Sequence, residues 1–222
     1  MNLIYRMKNE TIVQLYIALI AYFFYYSNGF VKFHGEYYAV FKTIPVLVLS
    51  LFAFLRNRGR VALLILLGGI GDYIIGIPSG GIVPGSFPFG SGHLIALSLF
   101  AFKRTFKIFW PTAIGLLLLQ ATVGHFCIKP MLSSEPTNAL ILTVYSFTLA
   151  ACFIVSSSHY FRSSVNDLEY TELLLRFLGY ASFVMSDTSL ILTEKHFLPE
   201  STELFILPTY YTAQLFIAFS LL

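Results

Sequence analysis

The chain has 222 residues, of which 57% are hydrophobic and only 11% are Asp, Glu, Lys or Arg, against about 45–50% apolar and about 25% charged in soluble domains. A water-soluble globule is excluded because it would expose this apolar surface, and disorder is excluded because the chain is rich in the residues that bury themselves. The net charge of +3 leaves no nucleic-acid footprint, since Lys and Arg stand in small groups between apolar runs rather than massed on one face.

Eight apolar runs approach the ~20 residues that a spanning helix needs: 11–27, 37–55, 61–77, 87–102, 108–126, 139–156, 171–192 and 205–222. The expectation is an all-α polytopic membrane bundle of about eight helices, forming one integral membrane domain over residues 1–222.

Arg6 and Lys8 precede the first run, as in a signal peptide, but no small residues suited to cleavage follow Tyr22-Phe23-Phe24-Tyr25-Tyr26, so an uncleaved first span is expected. Ser27-Asn28-Gly29 closes that run, and the second carries Lys42 and Pro45 before Arg56-Asn57-Arg58-Gly59-Arg60. The third holds Gly68, Gly69, Gly71 and Gly76 around Asp72. With no Walker Lys-Ser/Thr after them, these glycines read as sites of close helix packing rather than a phosphate loop.

The uncharged, Gly- and Pro-rich stretch from Gly80 to Gly92 is expected to resist regular helix, and so to form a rim or lid above Asp72 and His93. His93 lies about six residues into the fourth run, which Lys103-Arg104 closes, and Gln120 and His125 lie in the fifth. The seventh carries Arg176 near its start, expected to snorkel to the interface, then Ser186 and Asp187; the eighth carries Tyr210, Tyr211 and Gln214 and reaches residue 222, so no tail carrying a soluble function is expected. His34, His159 and His196 fall in loops and are expected to be solvated. Cys127 and Cys152 fall at opposite ends of neighbouring runs, too far apart for a disulfide.

Cytoplasmic loops retain Lys and Arg. The amino terminus and the even-numbered loops hold nine (Arg6, Lys8, Arg56, Arg58, Arg60, Lys103, Arg104, Lys107 and Arg162), whereas the odd-numbered loops hold three (Lys32, Lys129 and Lys195), which puts both termini in the cytoplasm. Glycosylation of the sequon Asn9-Glu10-Thr11 would overturn that topology.

Among the acidic residues only Asp72 and Asp187 sit well inside apolar runs, each five residues before the outer end of its run, or about 8 Å below the surface at 1.5 Å per residue. Lys42, His93, Tyr210, Tyr211 and Gln214 reach similar depth from the same face. An ionisable group in hydrocarbon costs at least about 2.5–3.5 kcal/mol and marks a candidate site; the competing reading, polar glue between helices, would scatter such groups in depth. There is no His-Glu-x-x-His, paired Cys or close His pair for a metal, and no Gly-x-Ser-x-Gly elbow, so neither a metal site nor a serine hydrolase is expected.

Gly71-Asp72, Phe89-x-x-Gly92-His93, Ser186-Asp187-x-x-Leu190 and Pro208-x-Tyr210-Tyr211-x-Ala213-Gln214 resemble the motifs of the YhhN-like lysoplasmalogenase family. Lys42-x-x-Pro45 resembles that family's Lys-Pro motif with two residues inserted. The resemblance implies eight spans and hydrolysis of the vinyl ether bond of lysoplasmalogens to a fatty aldehyde and a glycerophospho head group. It also implies Asp72 and Asp187 as the catalytic pair, no cofactor or metal, a lysophospholipid partner within the bilayer, and the endoplasmic reticulum as compartment, or the inner membrane in a bacterium.

Vinyl ether cleavage needs one protonated acid and one base or stabilising anion, roles that paired carboxyls can divide. Lys42 would then steady the ionised partner or bind phosphate. His93 would support proton transfer, and Tyr210, Tyr211, Gln214 and Ser186 would bind substrate or water. Two alternatives stand beside this: a proton-coupled transporter, in which Asp and Lys relay charge, and a non-catalytic lipid-binding protein.

Overall fold

The computed structural model describes residues 9–31, 36–102 and 107–222, with Glu36 described by its backbone alone. Arg6, Lys8, Lys32, His34, Lys103 and Arg104 lie outside the described residues. Among the described residues every regular element is helical: α1 (Asn9–Tyr26), α2 (Glu36–Leu55), α3 (Gly59–Gly76), α4 (Ile82–Phe100), α5 (Trp110–Val123), α6 (Met131–Ser134), α7 (Pro136–Phe161), α8 (Tyr170–Glu194) and α9 (Glu203–Leu221). A π-helical turn, Gly124–Ile128, prolongs α5, and a 3-10 turn, Glu200–Thr202, leads into α9. Six of these stretches are long and apolar enough to cross a membrane: Tyr37–Leu55, Gly59–Gly76, Ile82–Phe100, Trp110–Ile128, Pro136–Phe161 and Glu200–Leu221.

Besides the four-residue α6, the helices that fall short are α1 and α8, and they do so for a legible reason. Asn9, Glu10, Gln14 and a tyrosine-rich end dilute α1, while Arg176, Asp187 and a series of hydroxyl residues dilute α8.

The described residues form two compact units that divide inside α4, the first up to Gly92 together with Leu222, the second His93–Leu221. In the first unit α2 packs on both α1 and α3. Glycine sets the spacing: a Cβ at Gly76 would come 2.9 Å from the Cα of Ala39 on α2, and one at Gly71 would come 2.5 Å from the Phe89 ring on α4. Small residues of this kind let helix backbones approach closely in a bilayer, where dispersion and hydrogen bonding replace the hydrophobic effect.

The stretch from Gly80 to Gly92 corrects the expected lid. Helix α4 begins at Ile82 and runs through Pro84 and Pro88 without interruption. Pro84 stands in the first turn, where its missing N–H is unpaired in any helix, so only Pro88 removes an internal bond. The glycines face α3: a Cβ at Gly85 would meet Ile75 at 2.6 Å, and one at Gly92 would meet the Leu64 carbonyl at 3.0 Å. Their low helix propensity is outweighed by this close packing. His93 consequently sits in mid-helix, with more helix before it than a run starting at 87 would give.

In the second unit α8 packs on α7 and α9, and α7 on α5. Gly179 brings α9 close to α8, since a Cβ there would lie 2.9 Å from the Ile217 side chain and 3.3 Å from the Ala213 carbonyl. Helix α7 extends past the expected end at 156 through Ser156, Ser157, Ser158 and His159, all buried. Their hydroxyls are absorbed locally: Ser156 Oγ donates to the Phe153 carbonyl, Ser157 Oγ to that of Ile154, and Ser158 Oγ accepts the Phe109 N–H at the head of α5 at 2.9 Å. His159 is thus a buried helical residue beside Phe100, not the solvated loop residue expected.

Arg176 also departs from expectation. Instead of snorkelling it is buried, its Nη2 donating to the Ser220 carbonyl at 3.0 Å and its guanidinium lying 4.9 Å from the centre of the Phe100 ring. The carbonyl end of α9 and an aromatic face satisfy the cation inside the protein. Cys127 and Cys152 are free and buried.

Candidate functional site

Polar side chains singled out in the sequence gather at one place in each unit. In the first unit Lys42 on α2 and Asp72 on α3 form an ion pair, Nζ to Oδ1 2.8 Å, with both side chains buried. Local sequence explains the contact. Gly69 lets α3 lie against Thr43, Val46 and Leu47 of α2. Pro45 cannot donate to the Phe41 carbonyl one turn earlier, which loosens the helix beside Lys42. Tyr16 on α1, 1% exposed, lies within electrostatic reach of Asp72.

In the second unit Asp187 on α8 accepts a hydrogen bond at Oδ2 from the Tyr145 hydroxyl of α7. The tyrosine ring centre lies 6.0 Å from that of His93. The His93 ring lies 4.6 Å from Phe183 and 5.8 Å from Tyr180, and Phe183 lies 5.8 Å from Tyr210. His93 is buried and its Nε2 makes no hydrogen bond among the described residues. Gln214 Nε2 donates to the Tyr210 hydroxyl one turn away on α9 at 3.2 Å. Asp187 keeps partial accessibility, whereas Asp72 is closed off.

Neighbouring positions on a helix point about 100° apart, and Ser186 and Asp187 use this to face different partners. Ser186 Oγ donates to the Ile206 carbonyl of α9 at 2.9 Å. It bolts α8 to α9 while Asp187 turns to α7.

The structure therefore brings together His93, Asp187, Tyr210 and Gln214 through shared aromatic neighbours, and joins Lys42 to Asp72. Tyr211 is buried beside Tyr210, their ring centres 5.5 Å apart. Gln120 is spent on the Ser146 carbonyl at 2.8 Å, and His125 is exposed next to Phe126. Sequence reasoning missed Tyr145. It lies six residues into the run 139–156, in the outer half that the expected topology assigns to the other polar groups. The depth comparison takes in Tyr210 and Tyr211 but not this run, and depth alone does not tell Tyr145 from the other tyrosines of the chain. Among the described residues no group of three or more His, Cys, Asp or Glu is arranged to hold a metal ion.

Among the described residues, an all-helical architecture with six stretches long and apolar enough to cross a membrane defines a multipass membrane protein. The chain belongs to the YhhN family, whose model matches residues 37–221. All eight candidate site residues, and Tyr145, fall within the matched stretch, while Tyr16 precedes it. No curated protein and no solved structure matches the chain.

Proposed function

We propose that this chain is a lysoplasmalogenase, hydrolysing the vinyl ether bond of alkenyl-glycerophosphoethanolamine or -choline with Asp72 and Asp187 as its catalytic carboxyls. The observation that carries the reading is that each intramembrane aspartate has a dedicated partner of different kind: the Lys42 ammonium for Asp72, the Tyr145 hydroxyl for Asp187. An ion pair requires both partners charged, so Asp72 takes the part of the anion. Asp187 has no ion-pair partner among the described residues and takes the part of the acid.

The reaction is proton transfer from a carboxyl to the β-carbon of the vinyl ether, which leaves an oxocarbenium ion at the α-carbon. Water adds there, and the hemiacetal collapses to a free aldehyde and the glycerophospho head. Glycosidases divide an oxocarbenium-like reaction between two carboxyls in the same manner. General acid–base catalysis contributes about 10²- to 10⁴-fold, and no cofactor enters this scheme. His93 supports proton transfer, while Tyr210, Tyr211 and Gln214 supply hydroxyl and amide groups to head group or water, with Ser186 holding α9 against α8. The protein spans the membrane eight times, with α1 and α8 completing the set and both termini in the cytoplasm, in the endoplasmic reticulum or a bacterial inner membrane.

The test is purified protein in detergent, incubated with 1-alkenyl-lysophosphatidylethanolamine and assayed for aldehyde. Release by the wild type and its loss in both Asp72→Asn and Asp187→Asn is the expected result. Full turnover in both variants would sink the acid/base scheme. A transporter would release no product, and a lipid-binding protein would retain its ligand without cleaving it.

A further inference from the structure

We infer that Tyr145 is a positioning residue for the acid step, selecting which oxygen of Asp187 carries the proton that is transferred. The inference rests on the vinyl ether reading and adds to it an atom-level assignment.

The Tyr145 hydroxyl donates to Oδ2 of Asp187, and this is the hydrogen bond that Asp187 makes among the described residues. An oxygen that accepts from a phenol O–H serves as the carbonyl-like oxygen of a neutral carboxyl. The transferable proton therefore resides on Oδ1. Tyr145 cannot readily swing away, because its ring is set against His93, itself packed at 4.6 Å on Phe183 and at 5.8 Å on Tyr180. Donor and acceptor stand on two packed helices, α7 and α8, rather than on loops, the arrangement that holds a reacting group to a productive geometry.

The step balances around this bond. The Oδ1–H bond breaks as the π pair of the alkene forms a C–H bond at the β-carbon, and positive charge appears on the α-carbon and ether oxygen. Asp187 becomes a carboxylate, and the Tyr145 hydroxyl, already aimed at Oδ2, becomes a charge-assisted donor with no reorganisation. When water adds to the α-carbon its proton returns to Oδ1 and restores the neutral carboxyl. The Tyr145 bond strengthens only as the charge develops, so its removal acts on kcat and leaves KM nearly untouched.

The experiment compares Tyr145→Phe with the wild type in detergent by aldehyde release and by infrared spectroscopy of the protonated carboxyl stretch. Asp187→Asn identifies which band belongs to Asp187. The expected result is a fall in kcat on the order of 10- to 100-fold, the loss of one hydrogen bond to a developing charge, with KM within about twofold and the Asp187 band moved to higher wavenumber.

A monodisperse Tyr145→Phe protein with wild-type kcat, or with an unmoved band, overturns the inference, as does the absence of any carboxyl band that Asp187→Asn removes. Fluorotyrosine at position 145 preserves ring and hydroxyl while strengthening the donor, and it tests the same bond should Tyr145→Phe fail to fold. It is expected to move the band to lower wavenumber, and an unmoved band there overturns the inference equally. A wild type that releases no aldehyde would instead overturn the vinyl ether reading, and the part assigned to Tyr145 in it.

Discussion

The two units accommodate an aspartate among apolar helices in opposite ways. In the first, Asp72 is closed off and neutralised by a cation 2.8 Å away, under α2 and α3 that glycines draw together. In the second, Asp187 remains partly accessible, meets no cation among the described residues, and is held by a phenol in an aromatic setting. A buried ion pair is costly to break, because the survivor is left charged and unpaired. A hydrogen-bonded carboxyl can change its protonation without leaving a stranded counter-charge. The contrast teaches that two aspartates alike in sequence can divide the work: one contributes a fixed charge, and the other can give up and regain a proton.

The sharpest way to break this comparison is Asp187→Asn. Turnover should fall by about 10²- to 10⁴-fold, while unfolding in detergent stays within ~1 kcal/mol of wild type, because the amide oxygen still accepts from Tyr145. A large loss of stability would instead make Asp187 a group that the fold depends on, as it depends on the Lys42–Asp72 pair. Next in size is Asp72→Asn, which removes the carboxylate from its buried ion pair with Lys42 and should destabilise the protein by about 3–5 kcal/mol. Combining Lys42→Met with Asp72→Leu should recover most of that stability but none of the activity, so denaturation and aldehyde release measured together separate the two roles.

Packing gives a smaller effect. Gly71→Ala drives a methyl to 2.5 Å from Phe89 and 2.9 Å from the Gly85 carbonyl, an overpacking expected to cost about 1–3 kcal/mol. Gly115→Ala in the second unit meets nothing within 4 Å and should be neutral or gain up to ~1 kcal/mol of helix propensity. Thermal melting of the two variants side by side checks the difference. At the bottom of the scale, His125→Ala, on an exposed face, should alter neither melting nor turnover.

Much of the site was legible because charge is scarce in this sequence. With most charged residues explained by loops, Asp72, Asp187 and Lys42 stood out, and the ion pair between two of them follows from residues at similar depth on adjacent spans. Tyr145 was hidden by its own composition class: among 14 tyrosines, most of which suit membrane interfaces, nothing local marks the one that reaches a carboxyl. His159 was misread because the apolar run ends at 156, whereas the helix continues to Phe161; Arg176 was misread because a cation near a helix end snorkels unless a distant segment offers a partner. Here the Ser220 carbonyl, 44 residues away, does so for Arg176.

The sequence by itself determined that this chain is helical and membrane-embedded, which residues are too polar for their surroundings, and which family its motifs resemble, because these follow from composition and period along one dimension. Only the tertiary structure decided that Gly80 to Gly92 supports a helix rather than a lid, that Lys42 belongs to Asp72, and that Tyr145 belongs to Asp187. Each of these depends on what a neighbouring helix presents at a given height. A glycine reads as a breaker in isolation and as a contact once another backbone lies against it, and a polar group reads as a liability until its partner arrives from elsewhere in the chain.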